Sequence, residues 1–234
     1  MRIDKYLCEL NKGTRKEVKE YIKKGQIRVN GNIVKDPGYK VDENNDTVEF
    51  FNEILTYNKF VYYMLNKPAG VVSATEDKHD KTVIDLIKPE DIRPGLFPVG
   101  RLDKDTVGLL LISNDGELAH NLLSPTKHVD KTYFVKVKGA LKQEHVEMFR
   151  QGLQLSDFIT KPAILEIVST GEQSSAKVTI KEGKFHQIKR MFAKIGTEVV
   201  YLERIQMANL KLDEHLLQGE YRALRDDELS KLLY

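Results

Sequence analysis

The stretch GRLDKDTVGLLLISNDG, from Gly100 to Gly116, decides the fold. It carries charged residues at Arg101, Asp103 and Asp105, runs into an unbroken apolar segment from Val107 to Ile112, and closes on Ser113-Asn114-Asp115-Gly116. A short segment rich in branched residues and closed by turn formers reads as a strand covered on both faces. A charged loop feeding such a strand has its geometry fixed by the core, which is the placement a catalytic group requires. Arg-Leu-Asp before a strand is also a common surface ion pair, so the meaning of the loop rests on the rest of the chain.

At 234 residues the chain can bury a substantial core in one large domain or in a small domain plus a medium one. Cys8 is its single cysteine, which excludes an internal disulfide, gives no expectation of a thiolate metal cluster and fits a reducing cytosol. No apolar run approaches the roughly 18 residues of a membrane span, and the N-terminus has no signal-peptide pattern, so a soluble cytoplasmic protein is expected. His79, His120, His128, His145, His186 and His215 lack paired ligand spacing, and there is no Gly-rich phosphate loop. Chemistry is therefore expected from ordinary side chains, with no cofactor and no metal.

The net charge of +2 conceals an uneven distribution. Arg2 to Arg28 holds nine basic and four acidic residues, whereas Val29 to Asn58 holds two basic and six acidic ones. Ile3, Leu7 and Leu10 share one face of a first predicted helix. Val18, Tyr21 and Ile22 share one face of a second, which Thr14 caps with Glu17 at the capping-box position. Arg15, Lys16, Lys19 and Lys23 cluster on its exposed side. Gly25 ends the helix, and Ile27, Val29, the Asn30-Gly31 turn, Ile33 and Val34 predict a hairpin.

Thr56 to Phe60 reads as a linker, and Val61 to Leu65 as a strand followed by a turn at Asn66-Lys67-Pro68-Ala69-Gly70. Lys67 reads there as an exposed loop charge. Thr82 to Ile87 suggests a short helix. Glu117 to Leu123 suggests another, with Leu118, Leu122 and Leu123 on its inner face and a stop before Pro125. Lys131 to Val137 alternates, so Tyr133 shares a face with Val135 and Val137. That pattern alone is that of an amphipathic core aromatic. Leu141 to Phe149 predicts a helix, and Ala163 to Ser169 and Ala176 to Ile180 predict strands. EGKFHQIKRMFAKIG, residues 182 to 196, predicts a glycine turn and a helix with Ile188, Met191, Phe192 and Ile195 inward and Gly196 at its end. Glu198 to Ile205 predicts a strand. Lys184, Lys189, Arg190 and Lys194 form a second basic region, and two such regions point to a long polyanionic ligand.

RKEVKEYIKKGQIRVNG and its surroundings resemble the S4 RNA-binding domain. That resemblance implies Arg2, Lys5, Arg15, Lys16, Lys19 and Arg28 as RNA phosphate contacts, consistent with lysines and arginines at helical spacing displacing counterions. The ordered set of this module, GRLDKDTVGLLLISNDG, KTYFVKV, EGKFHQIKRMF and VVYLERI resembles the pseudouridine synthases, in the small-subunit ribosomal RNA branch that carries an S4 domain. The resemblance implies an α+β protein: an S4 domain of the αL type over residues 1–57, and a catalytic domain over 60–234 with a central mixed, largely antiparallel sheet and flanking helices. It places the catalytic aspartate at Asp103, the active-site tyrosine at Tyr133, the basic partner at Lys189 or its neighbour Arg190, and the apolar base-packing residue at Leu202. Arg101, Lys184 and Arg190 are expected to touch RNA.

Converting uridine to pseudouridine breaks the N1–C1′ bond, rotates the uracil and rejoins it through C5, with no net gain of atoms and no redox step. A carboxylate serves as nucleophile or base, and a nearby lysine fixes its direction. Tyr133 can stack on the extruded uracil or use its hydroxyl in proton transfer at the sugar, and Leu202 can close the other side of the base. The expected substrate is one uridine, or very few, in small-subunit ribosomal RNA, free or partly assembled, and the protein is expected to act as a monomer. The alternatives are a large-subunit substrate and a non-catalytic RNA-binding assembly factor.

Overall fold

A computed structural model describes residues 1–124 and 126–233. Packing divides the chain into two compact units: Met1–Val61 together with Ile87–Leu96, and Tyr62–Leu86 together with the chain from Phe97 onward. The two contiguous stretches expected from sequence did not include the excursion at 87–96.

In the first unit, α1 (Ile3–Glu9) and α2 (Arg15–Lys23) carry the expected apolar faces. Thr14 and Glu17 form a reciprocal capping box, so two of the helix's orphan N–H groups are satisfied at its start. β1 (Ile27–Val29) and β2 (Asn32–Ile33) form the expected hairpin, with Asn30 and Gly31 at φ +50° and +79°, as its tight turn requires. β3 (Val48–Phe50) and β4 (Glu53–Leu55) extend the sheet in the order β2-β1-β3-β4. This second hairpin is not legible in the sequence, because Phe51 and Asn52 take its left-handed turn positions without a glycine. The core is Ile3, Tyr6, Leu7, Leu10, Val18, Ile22, Ile27, Val29, Val34, Val41 and Val48.

The second unit is built on a nine-stranded sheet. β5 (Tyr62–Lys67) runs two residues further than expected. A 3₁₀ turn at Ile84–Leu86 replaces the helix predicted over Thr82 to Ile87, and a second 3₁₀ turn, Pro89–Asp91, lies in the excursion that belongs to the first unit. β6 (Phe97–Val99) and the fully buried β7 (Val107–Ser113) follow. Asp115 caps α3 (Gly116–Leu123) by accepting from the Glu117 and Leu118 amides. Leu118 and Leu122 are buried, but Leu123 is 41 % exposed, because adjacent helical positions lie about 100° apart and only one of the pair can face inward. Pro125, expected to stop this helix, lies outside the described residues.

β8 (Lys131–Lys138), α4 (Gln143–Gln151), β9 (Ile164–Ser169), β10 (Gln173–Ile180), α5 (Gln187–Lys194), β11 (Glu198–Met207), β12 (Leu210–Lys211), β13 (Tyr221–Ala223) and α6 (Asp226–Leu233) complete the chain. The sheet order is β13-β5-β7-β11-β8-β10-β9, with β6 on β7 and β12 on β11. The β7–β11 pair is parallel and the other described pairings are antiparallel, so the sheet is mixed and largely antiparallel. At the parallel junction Gly108, φ +97°, lies so close to β11 that a Cβ would meet the Arg204 carbonyl oxygen at 2.4 Å.

Candidate active site

The loop between β6 and β7 is held from below by the segment that follows β5. Ser73 Oγ donates to the Leu102 carbonyl at 2.9 Å and accepts from the Leu102 amide at 3.0 Å. The Gly70 amide donates to the Lys104 carbonyl at 2.8 Å. Lys67, read from sequence as an exposed loop charge, is fully buried. Its ammonium donates to the carbonyls of Pro68, Asp103, Lys104 and Thr106 at 3.1, 3.1, 3.3 and 2.9 Å. Burial pushes this ammonium down to about 8, with Asp105 and Asp103 opposing. Lys67 is thus the post around which the Asp103 loop is wound, a role invisible to local pattern because its acceptors lie mostly some forty residues downstream.

Above that support, one cavity is lined by Arg101, Asp103, Thr106, Tyr133, Lys184, His186, Lys189 and Leu202, among others. Tyr133 on β8 and Leu202 on β11 reach it from neighbouring central strands, and both are buried. Lys189 reaches it from the first turns of α5, whose Ile188, Met191 and Phe192 are buried and so fix the helix on the sheet. Lys189 Nζ lies 3.4 Å from Asp103 Oδ2 and 2.6 Å from Asp105 Oδ1. The lysine is therefore shared between two carboxylates and sits closer to Asp105 than to Asp103. Burial raises the Asp105 carboxyl, but the Lys189 hydrogen bond and charge outweigh it and leave a net lowering.

His186 has no metal-ligand spacing in the sequence and carries no role there. Its Nε2 lies 3.7 Å from Asp103 Oδ1, so two basic side chains of the same segment flank one carboxylate. Arg190 is directed elsewhere, pairing with Asp157 and donating to Ser156 Oγ at 3.0 Å. Of the two basic neighbours, Lys189 is the one that meets Asp103. Lys184 Nζ sits 3.7 Å from the centre of the Phe158 ring, and the Arg190 guanidinium 5.2 Å from the same ring.

In the first unit, Arg2, Lys5, Arg15 and Lys19 line a common groove, while Lys16 and Arg28 do not. Arg2 is paired with Asp4 at 2.8 Å and Lys5 with Glu9 at 3.6 Å. Arg28 donates to the Gly31 carbonyl at 3.2 Å. Arg15, Lys16 and Lys19 are exposed and make no ion pair among the described residues.

Residues 61–194 match the family described as RNA pseudouridylate synthase, and residues 1–47 match the S4 domain. The chain belongs to the RNA pseudouridylate synthase family. It is 46 % identical to an uncharacterised RNA pseudouridine synthase of Bacillus subtilis, over 99 % of this chain and 98 % of that one. It is 38 % identical to the ribosomal small subunit pseudouridine synthase A of Vibrio cholerae, over 99 % of both chains, and 35 % identical to the protein of that name in Escherichia coli, over the full length of both. A crystal structure of a pseudouridylate synthase superposes with a TM-score of 0.69 at 36 % identity, covering 99 % of each chain. This RNA pseudouridylate synthase is an α+β isomerase that carries an S4 domain at its N-terminus. Among the described residues no helix is long and apolar enough to cross a membrane.

Proposed function

We propose that the chain converts a uridine of small-subunit ribosomal RNA to pseudouridine, with Asp103 as the reacting carboxylate. The observation that carries this reading is the meeting of Asp103, Lys189, Tyr133 and Leu202 in one cavity, although they come from a loop, a helix and two strands. Lys189, held between Asp103 and Asp105, aims the carboxylate. Tyr133 and Leu202 take the two faces of the extruded uracil, and the flipping that brings it there favours looped or weakly paired RNA. Arg101 and Lys184 meet the flanking backbone at the cavity, and Arg190, outside the cavity lining, shares the Phe158 ring with Lys184. In the N-terminal module, over residues 1–57, Arg2, Lys5, Arg15, Lys16, Lys19 and Arg28 supply the sequence-independent phosphate contacts, and residues 60–234 do the chemistry. The small-subunit target is supported by the two relatives named for that subunit. The protein acts as a monomer in the cytoplasm.

The test is to incubate transcribed small-subunit and large-subunit ribosomal RNA separately with the protein and with Asp103→Asn, and to map pseudouridine chemically. Modification of small-subunit RNA by the wild type alone is expected, with the variant retaining RNA affinity. Modification of large-subunit RNA instead overturns the substrate, and no modification by either protein overturns the activity.

A further inference from the structure

The chemistry proposed above uses the inner wall of the cavity and leaves its rim unexplained. Phe185, two residues before α5, is 76 % exposed, more than any other large apolar side chain described. A single exposed aromatic is ordinary in itself. This one stacks on His186, with ring centres 3.8 Å apart and planes 18° from parallel, and His186 lines the cavity beside Asp103. His186 holds the left-handed conformation at φ +48°, uncommon for a residue with a side chain, and that turn presents the ring pair at the rim. Next along the chain, Lys184 lies over Phe158, which also receives Arg190. Aromatic faces open to solvent and bordered by cations are the surface that single-stranded nucleic acid occupies, bases on rings and phosphates on cations.

We propose that the outer face of Phe185 is the stacking platform for the nucleobase adjacent to the target uridine, with Lys184 against the intervening phosphate. The inference rests on the pseudouridine reading. When the uridine leaves its stack, its neighbour loses a stacking partner, and Phe185 supplies one at the cavity's edge. Because every base has a π-face, the platform positions the strand without selecting its sequence.

The chain contains no tryptophan, so Phe185→Trp in the full-length protein introduces a single indole reporter at this place. Saturating small-subunit rRNA transcript is expected to quench its emission, and an abasic site at one of the two nucleotides flanking the mapped uridine is expected to remove the quench. In parallel, Phe185→Ala should raise KM roughly five- to 150-fold, the range for losing one base–aromatic stack, and Phe185→Tyr should restore it. An indole whose emission does not move while filter binding reports bound RNA overturns the platform, as does Phe185→Ala with wild-type KM. A wild type that binds RNA without isomerising it overturns the activity instead, and the quench of the Phe185→Trp indole by bound RNA, which needs no mapped uridine, is read independently of that result.

Discussion

Lys189 and Lys67 serve the same carboxylate loop by different means, and their replacements should separate. Lys189→Ala leaves Asp103 and Asp105 without the cation they share, so kcat should fall by about a hundredfold, as for loss of one preorganised charge partner. RNA affinity should change by less than about threefold, since Lys189 is committed to carboxylates rather than phosphate. Single-turnover tritium release and filter binding measure the two quantities. Lys67→Met strands four carbonyls inside the protein and should cost about 3 kcal/mol of stability at pH 7. The pH dependence has a definite sign. Between about pH 8 and 10.5 the unfolded chain holds a proton on Lys67 that the folded chain has released, so the contribution of this group to stability rises with pH across that window. Denaturant titrations at pH 7 and pH 10 should show the gap between wild type and Lys67→Met widening at the higher pH. Strand patterns announce the elements that carry or flank Asp103, Tyr133 and Leu202, while their roles at the site come from the family resemblance alone. Lys67 was misread because Lys-Pro-Ala-Gly is turn composition, and its burial comes from a loop that folds back onto it from a distance.

At the scale of the elements, what was legible follows from local rules and what was missed follows from their absence. β8, α2 and α5 each follow one period, so their inner faces are legible in the sequence, and β7 is legible as an unbroken apolar run covered on both faces. The β3–β4 hairpin could not be, because Phe51 and Asn52 sit at φ +50° and +67° with no glycine to mark the turn. Gly108 is the converse, a glycine whose need appears only in three dimensions. Its φ of +97° and the β11 backbone beside it leave no room for a side chain, because strand β7 is pressed against Arg204 at the parallel junction. Gly108→Ala combines a backbone clash with an unfavourable conformation and should destabilise the second unit by about 3 kcal/mol or more. Thermal unfolding followed by circular dichroism checks it.

For the whole molecule, the basic surface of the N-terminal module is a prediction about ions. Arg15, Lys16 and Lys19 are exposed and make no close ion pair among the described residues, which leaves them open to phosphate. Replacing all three by Gln should weaken RNA binding uniformly across sequences and reduce the slope of log affinity against log salt by roughly 2 to 3. Binding measured across a salt series reads this directly, and an unchanged slope would place the RNA on another face.

The excursion at 87–96 also bears on how such a protein can change over generations. The chain passes between the two units at 61–62, at 86–87 and again at 96–97. Asn11 Nδ2 donates to the Pro89 carbonyl at 2.6 Å, and Pro94 lines the groove that holds Arg2 and Lys19. A recombination event that exchanged residues 1–61 alone would leave the incoming module facing a peptide shaped for its predecessor. The first unit is therefore discontinuous in the gene: its last stretch is encoded after residues 62–86, a few codons before Asp103.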